Sequence, residues 1–293
     1  MKQCGLFSFI IFVLIFLAKP IFSQQLDSIL YSRYLPDSTV RTKNYLKAYE
    51  LYINHFKKYP NCSGGFTYFN AACVASKVNH LDSAQFFLLH AIASGSDDKK
   101  SYLEDSDLES LRQSKYNIEI LNAYSDAQKN QMPINLMYMD SMLKVMAYFD
   151  QEVRVGLSTN RIKDSTAFLS FILNSKLIDS TNGVLLKIFL NRIDKDYYID
   201  LSNDFCFNLF LILQHSNDQS LQCEMLSFVE KLVVLEKLPN SSYALLFDRI
   251  ESRKNNKQLY GTQIKYNFNT NKNELIPIYN IEGINFRRKI FMM

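Results

Sequence analysis

Residues 66–93 read FTYFNAACVASKVNHLDSAQFFLLHAIA, and this stretch decides the fold that the sequence predicts. The run from Phe66 to Val78 is rich in alanine and contains neither Gly nor Pro, which predicts a helix. Asn79 and His80 form a turn, and the run from Leu81 to Ala93 predicts a second helix. Because the facing side chains are small, we expect these two helices to approach each other closely.

A further amphipathic helix precedes this pair. In residues 41–58, apolar side chains recur at three- and four-residue spacing, as on one face of a helix. Tyr59, Pro60 and Asn61 end the run, because proline cannot continue a helix.

These helices resemble a tetratricopeptide repeat. The small residue of the repeat's first helix falls on Ala72, and the alanines of its second helix fall on Ala84 and Ala91. Ala48 lies 36 residues before Ala84, close to the repeat period of about 34 residues. The resemblance implies a tetratricopeptide-like helical region over residues 24–130 that binds a protein or peptide partner. Fewer than three repeats are visible, so we expect this region to pack on the rest of the chain or on a partner.

The N-terminus has the order of a secretory signal peptide. Lys2 supplies a positive charge, residues 5–18 are apolar or small, Pro20 breaks the helix, and Ser23 offers a cleavage site. The apolar run is shorter than the roughly 20 residues that span a bilayer, although an uncleaved anchor is the alternative. We therefore predict a signal peptide at 1–23, export to the periplasm or the extracellular space, and no membrane span after cleavage.

The second half, residues 131–293, also predicts helices. Glycine and proline are sparse, with 8 and 6 residues in the 293-residue chain, which disfavours a protein built from tight turns. Residues 265–279 alternate loosely around an Asn-rich turn and predict a short hairpin. The helices are expected near 135–152, 163–174, 180–193, 200–214, 219–237, 241–254 and 285–289. The predicted class is all-α, with the repeat-like hairpins packed on a second helical domain and a short β-hairpin near the C-terminus.

This half resembles a bacterial domain family of unknown function that is often found on exported proteins. The motifs that carry the resemblance are Asp150-Gln151 with Arg154, Asp179 with Asn182, Gln214-His215, Asp248-Arg249, Tyr260-Gly261-Thr262-Gln263, and Asn285 with Arg287-Arg288. The resemblance implies a helical fold and a polar surface. It does not indicate a reaction, because the family has no established activity.

The polar motif residues include candidates for a catalytic site. His215 follows an apolar helix, and a histidine beside a carboxylate can act as a general acid or base. The catalytic candidates are His215, Asp218 and Asp248. The candidates for ligand binding or for a polar network are Asp150, Gln151, Arg154, Arg249, Tyr260, Gln263, Arg287 and Arg288. The alternative interpretation is a buried ion-pair network that holds the C-terminal tail, because the arginine fork fits a carboxylate.

Composition excludes several function classes. The 33 basic and 29 acidic residues give a net charge of +4. The sequence lacks the concentrated run of basic residues that nucleic-acid binding requires, so no nucleic-acid partner is expected. The sequence contains no metal-binding or nucleotide-binding motif, so no metal and no cofactor are expected. Four cysteines follow the signal: Cys62, Cys73, Cys206 and Cys223. Each is either a small buried apolar residue or half of a Cys62–Cys73 or Cys206–Cys223 disulfide.

The preferred function is a protein-interaction or scaffold module of the cell envelope. Helical-repeat grooves bind proteins, and the sequence carries no complete catalytic motif. The alternatives are a hydrolase that uses His215 with Asp218 or Asp248 and an arginine anion site, and a purely structural module.

Overall fold

The computed structural model describes residues 25–60, 62–94, 99–127, 134–159, 165–190, 201–267, 269–270 and 272–291. Within these residues the secondary structure is helical apart from one short two-stranded sheet, so the predicted all-α class with a small C-terminal hairpin is confirmed. The predicted signal sequence lies outside the described residues. In the described part, no helix combines the length and the apolarity that crossing a bilayer requires.

The elements follow in chain order. The first half contains α1 (residues 25–40), α2 (Tyr45–Lys58), α3 (Gly65–Lys77), α4 (Leu81–Ala93), α5 (Lys99–Glu104), α6 (Glu109–Arg112) and α7 (Asn117–Ala127). The second half contains α8 (Ile134–Thr159), α9 (Ser165–Leu190), α10 (Asn203–His215), α11 (Gln219–Val234), α12 (Asn240–Asn255), β1 (Ile264–Asn267), β2 (Lys272–Leu275) and α13 (Ile284–Ile290).

Helices α3 and α4 form the close pair that the alanine pattern predicts. Ala71, Ala75 and Ala84 are completely buried between the packed helices, where a larger side chain would force the backbones apart. Asn79 adopts a left-handed backbone conformation with φ of 60°, and the His80 amide donates to the Ala75 carbonyl at 2.9 Å. This Schellman-type ending closes α3 and starts the turn. That the pair belongs to a tetratricopeptide array stays a prediction.

Two hydrophobic cores organise the described residues. The first core joins α2, α3, α4, α6 and α7 and contains Ala48, Tyr52, Phe87, Leu88, Leu111 and Ile120. The second core joins α8 to α13 and contains Leu143, Phe205, Leu213, Leu232, Leu246 and Phe291. Each fully buried large apolar side chain contributes about 1.5–3 kcal/mol relative to an exposed one, so each core stabilises its own set of helices.

Helix α1 connects the two halves and was missing from the predicted helices. Leu26 and Leu30 lie in the second core, although they precede the repeat-like helices in the chain. Lys43 adopts a left-handed φ of 60° after α1, and the Asn44 side chain caps α2 by accepting from the Lys47 amide at 3.2 Å. The helix predicted over 41–58 therefore begins later, at Tyr45.

Helix α10 lies at the centre of the second half and contacts α8, α9, α11 and α12. Phe205, Leu209 and Leu213 on α10 are almost completely buried, and α10 corresponds to the helix predicted near 200–214. The helices predicted separately at 163–174 and 180–193 are wrong, because they form the single helix α9. The stretch between them contains no proline to break the helix, and Gly183 lets α9 approach Ser216 closely.

Strands β1 and β2 form the predicted hairpin. They pair antiparallel, with Ile264 opposite Leu275 and Asn267 opposite Lys272. Residues 265–279 had indicated a hairpin around the Asn-rich turn, and the strands occupy its two arms.

None of the four cysteines Cys62, Cys73, Cys206 and Cys223, all of which lie in described residues, forms a disulfide bond. Cys73 and Cys206 are buried, as expected for small apolar residues, whereas Cys223 is exposed. Burial raises the pKa of the Cys206 thiol to about 12, so this thiol is protonated and unreactive at neutral pH.

His55 is completely buried, and both of its ring nitrogens have hydrogen-bond partners. Its Nδ1 lies 3.0 Å from Ser32 Oγ on α1, and its Nε2 lies 2.8 Å from Ser63 Oγ before α3. The two hydroxyls satisfy a neutral imidazole. Burial, and secondarily the positive charge of Arg33, lowers the pKa of His55 to about 4.

The lowered pKa predicts that acid removes the stabilising effect of His55. Below pH 6.5 the unfolded chain protonates its histidine while the folded chain holds it neutral, so stability is lost as the pH falls from about 6.5 to about 4. Urea unfolding at pH 7 and pH 5 will show that the stability advantage of the wild type over His55→Gln shrinks by about 1–2 kcal/mol. The same advantage at both pH values would show that His55 is not held neutral.

Candidate functional site

Several motif residues of the second half lie in one buried polar region. Helices α8, α9, α10 and α12 contribute these side chains, and α10 contacts the other three helices. The polar cluster consists of Asp150 and Arg154 on α8, Asp179 and Asn182 on α9, Gln214 and His215 on α10, and Arg249 on α12.

The polar cluster contains a histidine–aspartate pair. His215 Nδ1 donates to Asp150 Oδ2 at 2.7 Å, and the Asp150 carboxylate is completely buried. Gln151 Nε2 donates to the same oxygen at 2.7 Å. The carboxylate fixes the imidazole ring and leaves Nε2 as the position that can exchange a proton, an arrangement suited to general acid–base chemistry.

Arg154 links two carboxylates of the polar cluster. Its Nη2 donates to Asp179 Oδ1 at 2.8 Å, and its Nη1 lies 3.0 Å from Asp150 Oδ1. The guanidinium therefore joins α8 to α9 and balances the charge of the buried Asp150.

Asp218 is occupied by helix capping and by an ion pair. Its Oδ1 accepts from the Leu221 amide at 2.9 Å, so Asp218 caps α11. Its Oδ2 lies 2.5 Å from Lys187 Nζ. The hydrogen bond from Lys187, followed by that from the Leu221 amide, holds the pKa of Asp218 below its ordinary value.

Asp248 is also fully occupied, by the loop that follows α12. Its completely buried carboxylate accepts from the amides of Leu259, Tyr260 and Thr262 at 2.7–3.2 Å. The Thr262 hydroxyl donates to Asp248 Oδ2 at 3.0 Å. Because these donors surround both carboxylate oxygens, Asp248 fixes the conformation of the loop.

Arg287 holds the same loop through its carbonyl groups. It donates to the carbonyls of Leu259, Tyr279 and Asn280 at 2.8–3.2 Å. Its neighbour Arg288 lies beside Gly261, whose φ of 75° requires a residue without a side chain. The arginine pair thus attaches α13 to the loop.

Tyr260 and Gln263 belong to this loop rather than to the polar cluster. Tyr260 is completely buried, and its ring contacts those of Tyr243, Phe247 and Phe291. Gln263 donates to the Thr262 hydroxyl at 3.0 Å, and its backbone amide donates to Gln258. Both residues stabilise the loop.

The structure therefore divides the predicted site residues into two groups. Asp150, Gln151 and Arg154 meet His215 directly or through Asp150, while Asp248 and Arg287 contact the loop at 259–262. Among the described residues, the hydrogen-bond partner of His215 is Asp150, and neither Asp218 nor Asp248 lies at hydrogen-bond distance from it. The hydrolase alternative stays a prediction. These contacts favour the interpretation as a structural network at Asp218, Asp248 and Arg287.

A cleft that sequence reasoning missed lies where the two halves meet. This junction cleft has a volume of about 890 Å³ and is bordered by α1, the start of α3, the start of α10, the segment between α11 and α12, and α13. Its aromatic lining residues are Tyr34, Phe66, Phe207 and Phe291. Its charged lining residues are Arg33, Asp37, Arg41, Asp204, Glu236, Lys237 and Lys289.

Glu236 connects the two halves at the base of the junction cleft. Its carboxylate accepts from the Thr67 amide at 2.8 Å and from the Thr67 hydroxyl, and it pairs with Arg33 at 2.8 Å. Helix α3 has no side-chain cap from its own N-cap residue, Gly64, so Glu236 satisfies this end from 169 residues away. Glu236 itself has a left-handed φ of 58°, because it is the residue after the C-cap of α11 in a Schellman-type ending.

Asp37 forms a second buried link in the wall of the cleft. It accepts from the Tyr52 hydroxyl and, at 3.4 Å, from Asn70 Nδ2. Burial raises the pKa of Asp37 above its ordinary value, in spite of these hydrogen bonds. Asp37 thereby joins α1 to α2 and α3.

No local signal in the sequence indicates the junction cleft. Arg33 and Glu236 are about 200 residues apart in the chain, and each alone reads as an ordinary charged residue. The aromatic residues Phe66 and Phe207 are exposed. The apolar periodicity of their helices predicts which face is buried, and it does not predict that these two side chains are exposed. The periodicity of the sequence does not show which distant elements contact each other.

The described residues also bear on metals. Among them, no three histidine, cysteine, aspartate or glutamate side chains come together in an arrangement that could hold a metal ion.

The comparisons add no related protein to these observations. A comparison of the chain with protein-family models, with curated proteins and with solved structures finds no match.

Proposed function

We propose that this chain is a protein-interaction module that holds a peptide segment of a partner in the junction cleft. The observation that carries the proposal is a cleft of about 890 Å³ between the two halves with exposed aromatic side chains at its border. Phe66 is 59% exposed and Phe207 is 47% exposed. Ligand pockets occupy about 300–1,000 Å³ and often lie between domains, and aromatic residues are enriched where proteins bind each other.

The charges of the cleft favour an acidic partner segment. Glu236 is paired with Arg33, and the Asp37 carboxylate accepts hydrogen bonds from Tyr52 and Asn70. Arg41 and Lys289 add positive charge at the same wall, against which Asp204 supplies negative charge at the start of α10. The expected occupant is a peptide with a large apolar side chain next to an acidic residue, because these groups complement the aromatic and cationic lining.

The proposal includes export and a place in the cell envelope. The order of charge, apolar run and small residue in 1–23 supports a signal peptide. The tetratricopeptide-like pattern of α3 and α4 supports a helical binding region, because such regions bind proteins. The expected partner is therefore another protein of the periplasm or the extracellular space.

Peptide selection against the folded full-length mature chain tests the proposal. We expect selected peptides to combine an aromatic or large aliphatic residue with an acidic neighbour. We expect Phe207→Ala to weaken their binding at least tenfold, the effect of removing a central aromatic contact worth about 1.4 kcal/mol or more. Fluorescence anisotropy with a labelled selected peptide gives the dissociation constants.

The matched control is Phe86→Ala. Phe86 is exposed to a similar degree, but it lines a different groove, of about 410 Å³, between α2 and α4. Affinity should be unchanged in this variant. Binding that is lost in Phe86→Ala and retained in Phe207→Ala would move the site to that groove and contradict the proposal.

A further inference from the structure

Arg249 occupies the centre of the polar cluster without an acidic partner. On α12 it lies one turn from Leu245 and one turn from Arg253, so the three residues share a face. Gln214 Nε2 donates to the Leu245 carbonyl at 3.5 Å, and Arg253 Nη1 donates to Gln222 Oε1 at 3.0 Å. The guanidinium of Arg249 therefore faces the ends of α10 and α11.

The Nε of Arg249 is buried and has no hydrogen-bond partner. Within the described part of the chain, no carboxylate lies at ion-pair distance from this guanidinium, and the ion pairs of Asp150 and Asp179 are with Arg154. Leaving a buried charged donor unsatisfied costs free energy, so such a group indicates a missing partner.

Positive charge exceeds negative charge around Arg249. The charges of Arg154 and Arg253 act on Arg249 and are opposed by that of Asp179, while Asp150 and Asp179 are the two carboxylates of the polar cluster. Burial, followed by the charges of Arg253 and Arg154, lowers the pKa of Arg249 to about 10, so it remains positively charged at neutral pH. An anion would neutralise this excess.

Three further buried atoms of the polar cluster lack a hydrogen-bond partner: Asn182 Nδ2, Gln214 Oε1 and Asp150 Oδ1, of which the last lies 3.0 Å from Arg154 Nη1. Asn182 follows Asp179 by one turn on α9, is 6% exposed, and has no partner for Nδ2. Gln214 is 5% exposed, donates through Nε2, and has no partner for Oε1. The helices are brought together here by the close approach of Gly183 to Ser216.

We propose that the polar cluster binds a small oxyanion of the hydrogen phosphate type. Arg249 Nε and Asn182 Nδ2 are donors that an anionic oxygen can satisfy. Gln214 Oε1 is an acceptor that requires a hydroxyl donor. Hydrogen phosphate, or a phosphate group of a larger molecule, supplies both kinds of oxygen in one group.

Titration calorimetry in a phosphate-free zwitterionic buffer at pH 7 tests this site with inorganic phosphate. We expect one phosphate to bind per chain, and sulfate, which has no hydroxyl at this pH, to bind more weakly. Arg249→Met should weaken phosphate binding at least tenfold, and Asn182→Ala should weaken it severalfold. The control Lys176→Met removes an exposed cation on α9 and should bind phosphate as the wild type does.

Thermal unfolding separates this role from a structural one. Without phosphate, Arg249→Met should melt at the wild-type temperature or above it, because an unbalanced buried charge is removed. Added phosphate should raise the melting temperature of the wild type and leave that of Arg249→Met unchanged. The proposal is overturned if phosphate does not bind, or if both chains bind it equally. If Arg249→Met does not fold, the same titrations with Asn182→Ala decide, and wild-type affinity in that variant sinks the site.

Discussion

Replacing Asp248 with asparagine will lower the free energy of unfolding by about 3–5 kcal/mol, as expected when a buried charged acceptor loses its matched donors. The Asp248 carboxylate accepts from three backbone amides and the Thr262 hydroxyl. An asparagine of the same shape places an NH₂ group against donors that need an acceptor. At least one buried amide of the loop at 259–262 is then left without a partner. Urea unfolding monitored by far-UV circular dichroism measures the loss.

Hydrogen exchange locates the effect of Asp248→Asn. The amides of Leu259, Tyr260 and Thr262 should lose protection, because the acceptor that holds them is gone. The control Glu152→Gln changes an exposed acid on α8 and should alter stability by less than about 0.5 kcal/mol. An Asp248→Asn protein with wild-type stability and protection would show that the carboxylate is not the anchor of the loop.

Local features of the fold could be predicted from the sequence, and Asp218 shows why. A short acceptor side chain directly before an amphipathic run meets the free amides of the first helical turn, three residues away. The α3–α4 pair was predictable for the same reason, because its alanines and its turn lie within 28 residues. Such interactions are set by spacing along the chain.

The partners of the polar residues could not be predicted in the same way. Asp248 and Arg249 are neighbours in sequence, yet successive residues of a helix point about 100° apart. Asp248 therefore contacts the loop after α12, while Arg249 faces α10 and α11. The sequence analysis treated these two residues as one motif of a single candidate site, but the helix geometry directs their side chains to different parts of the structure. His215 forms its hydrogen bond with Asp150 on α8, 65 residues away in the chain, and not with Asp218, which is nearer in sequence.

The junction of the two halves was the least predictable part, because it depends on the relative placement of distant helices. Helix α1 carries Leu26 and Leu30 into the second core, and Arg33 on the same helix pairs with Glu236. The left-handed φ of Glu236 has no sequence signature, since glycine is the residue expected at such a helix ending. The same junction forms the cleft that we propose as the peptide-binding site. A change that destabilises the junction should therefore also weaken peptide binding in the cleft.

Gly64→Ala will disrupt this junction and lower the free energy of unfolding by about 3 kcal/mol, the upper part of the usual range for overpacking. The backbone of Gly64 is extended, with φ of −100°, so alanine is not strained by its own conformation. The space is what excludes it: a Cβ at this position would lie 2.1 Å from the Leu235 carbonyl oxygen and 2.6 Å from Glu236 Cβ. A backbone carbonyl cannot rotate away, so the segment at 235–236 must move and withdraw Glu236 from Thr67 and Arg33.

Gly183→Ala provides the matched control for this clash. Its Cβ would lie 2.9 Å from Ser216 Oγ, the free end of a side chain that can rotate, and alanine gains about 1 kcal/mol of helix propensity over glycine. We expect its stability to stay within about 1 kcal/mol of the wild type. Contacts at the junction couple the unfolding of the two cores. We therefore expect the two cores of Gly64→Ala to unfold in separate steps. Hydrogen exchange in urea would then show the first core opening before the second. A Gly64→Ala protein that unfolds in one step at the wild-type midpoint would show that the halves do not depend on this contact.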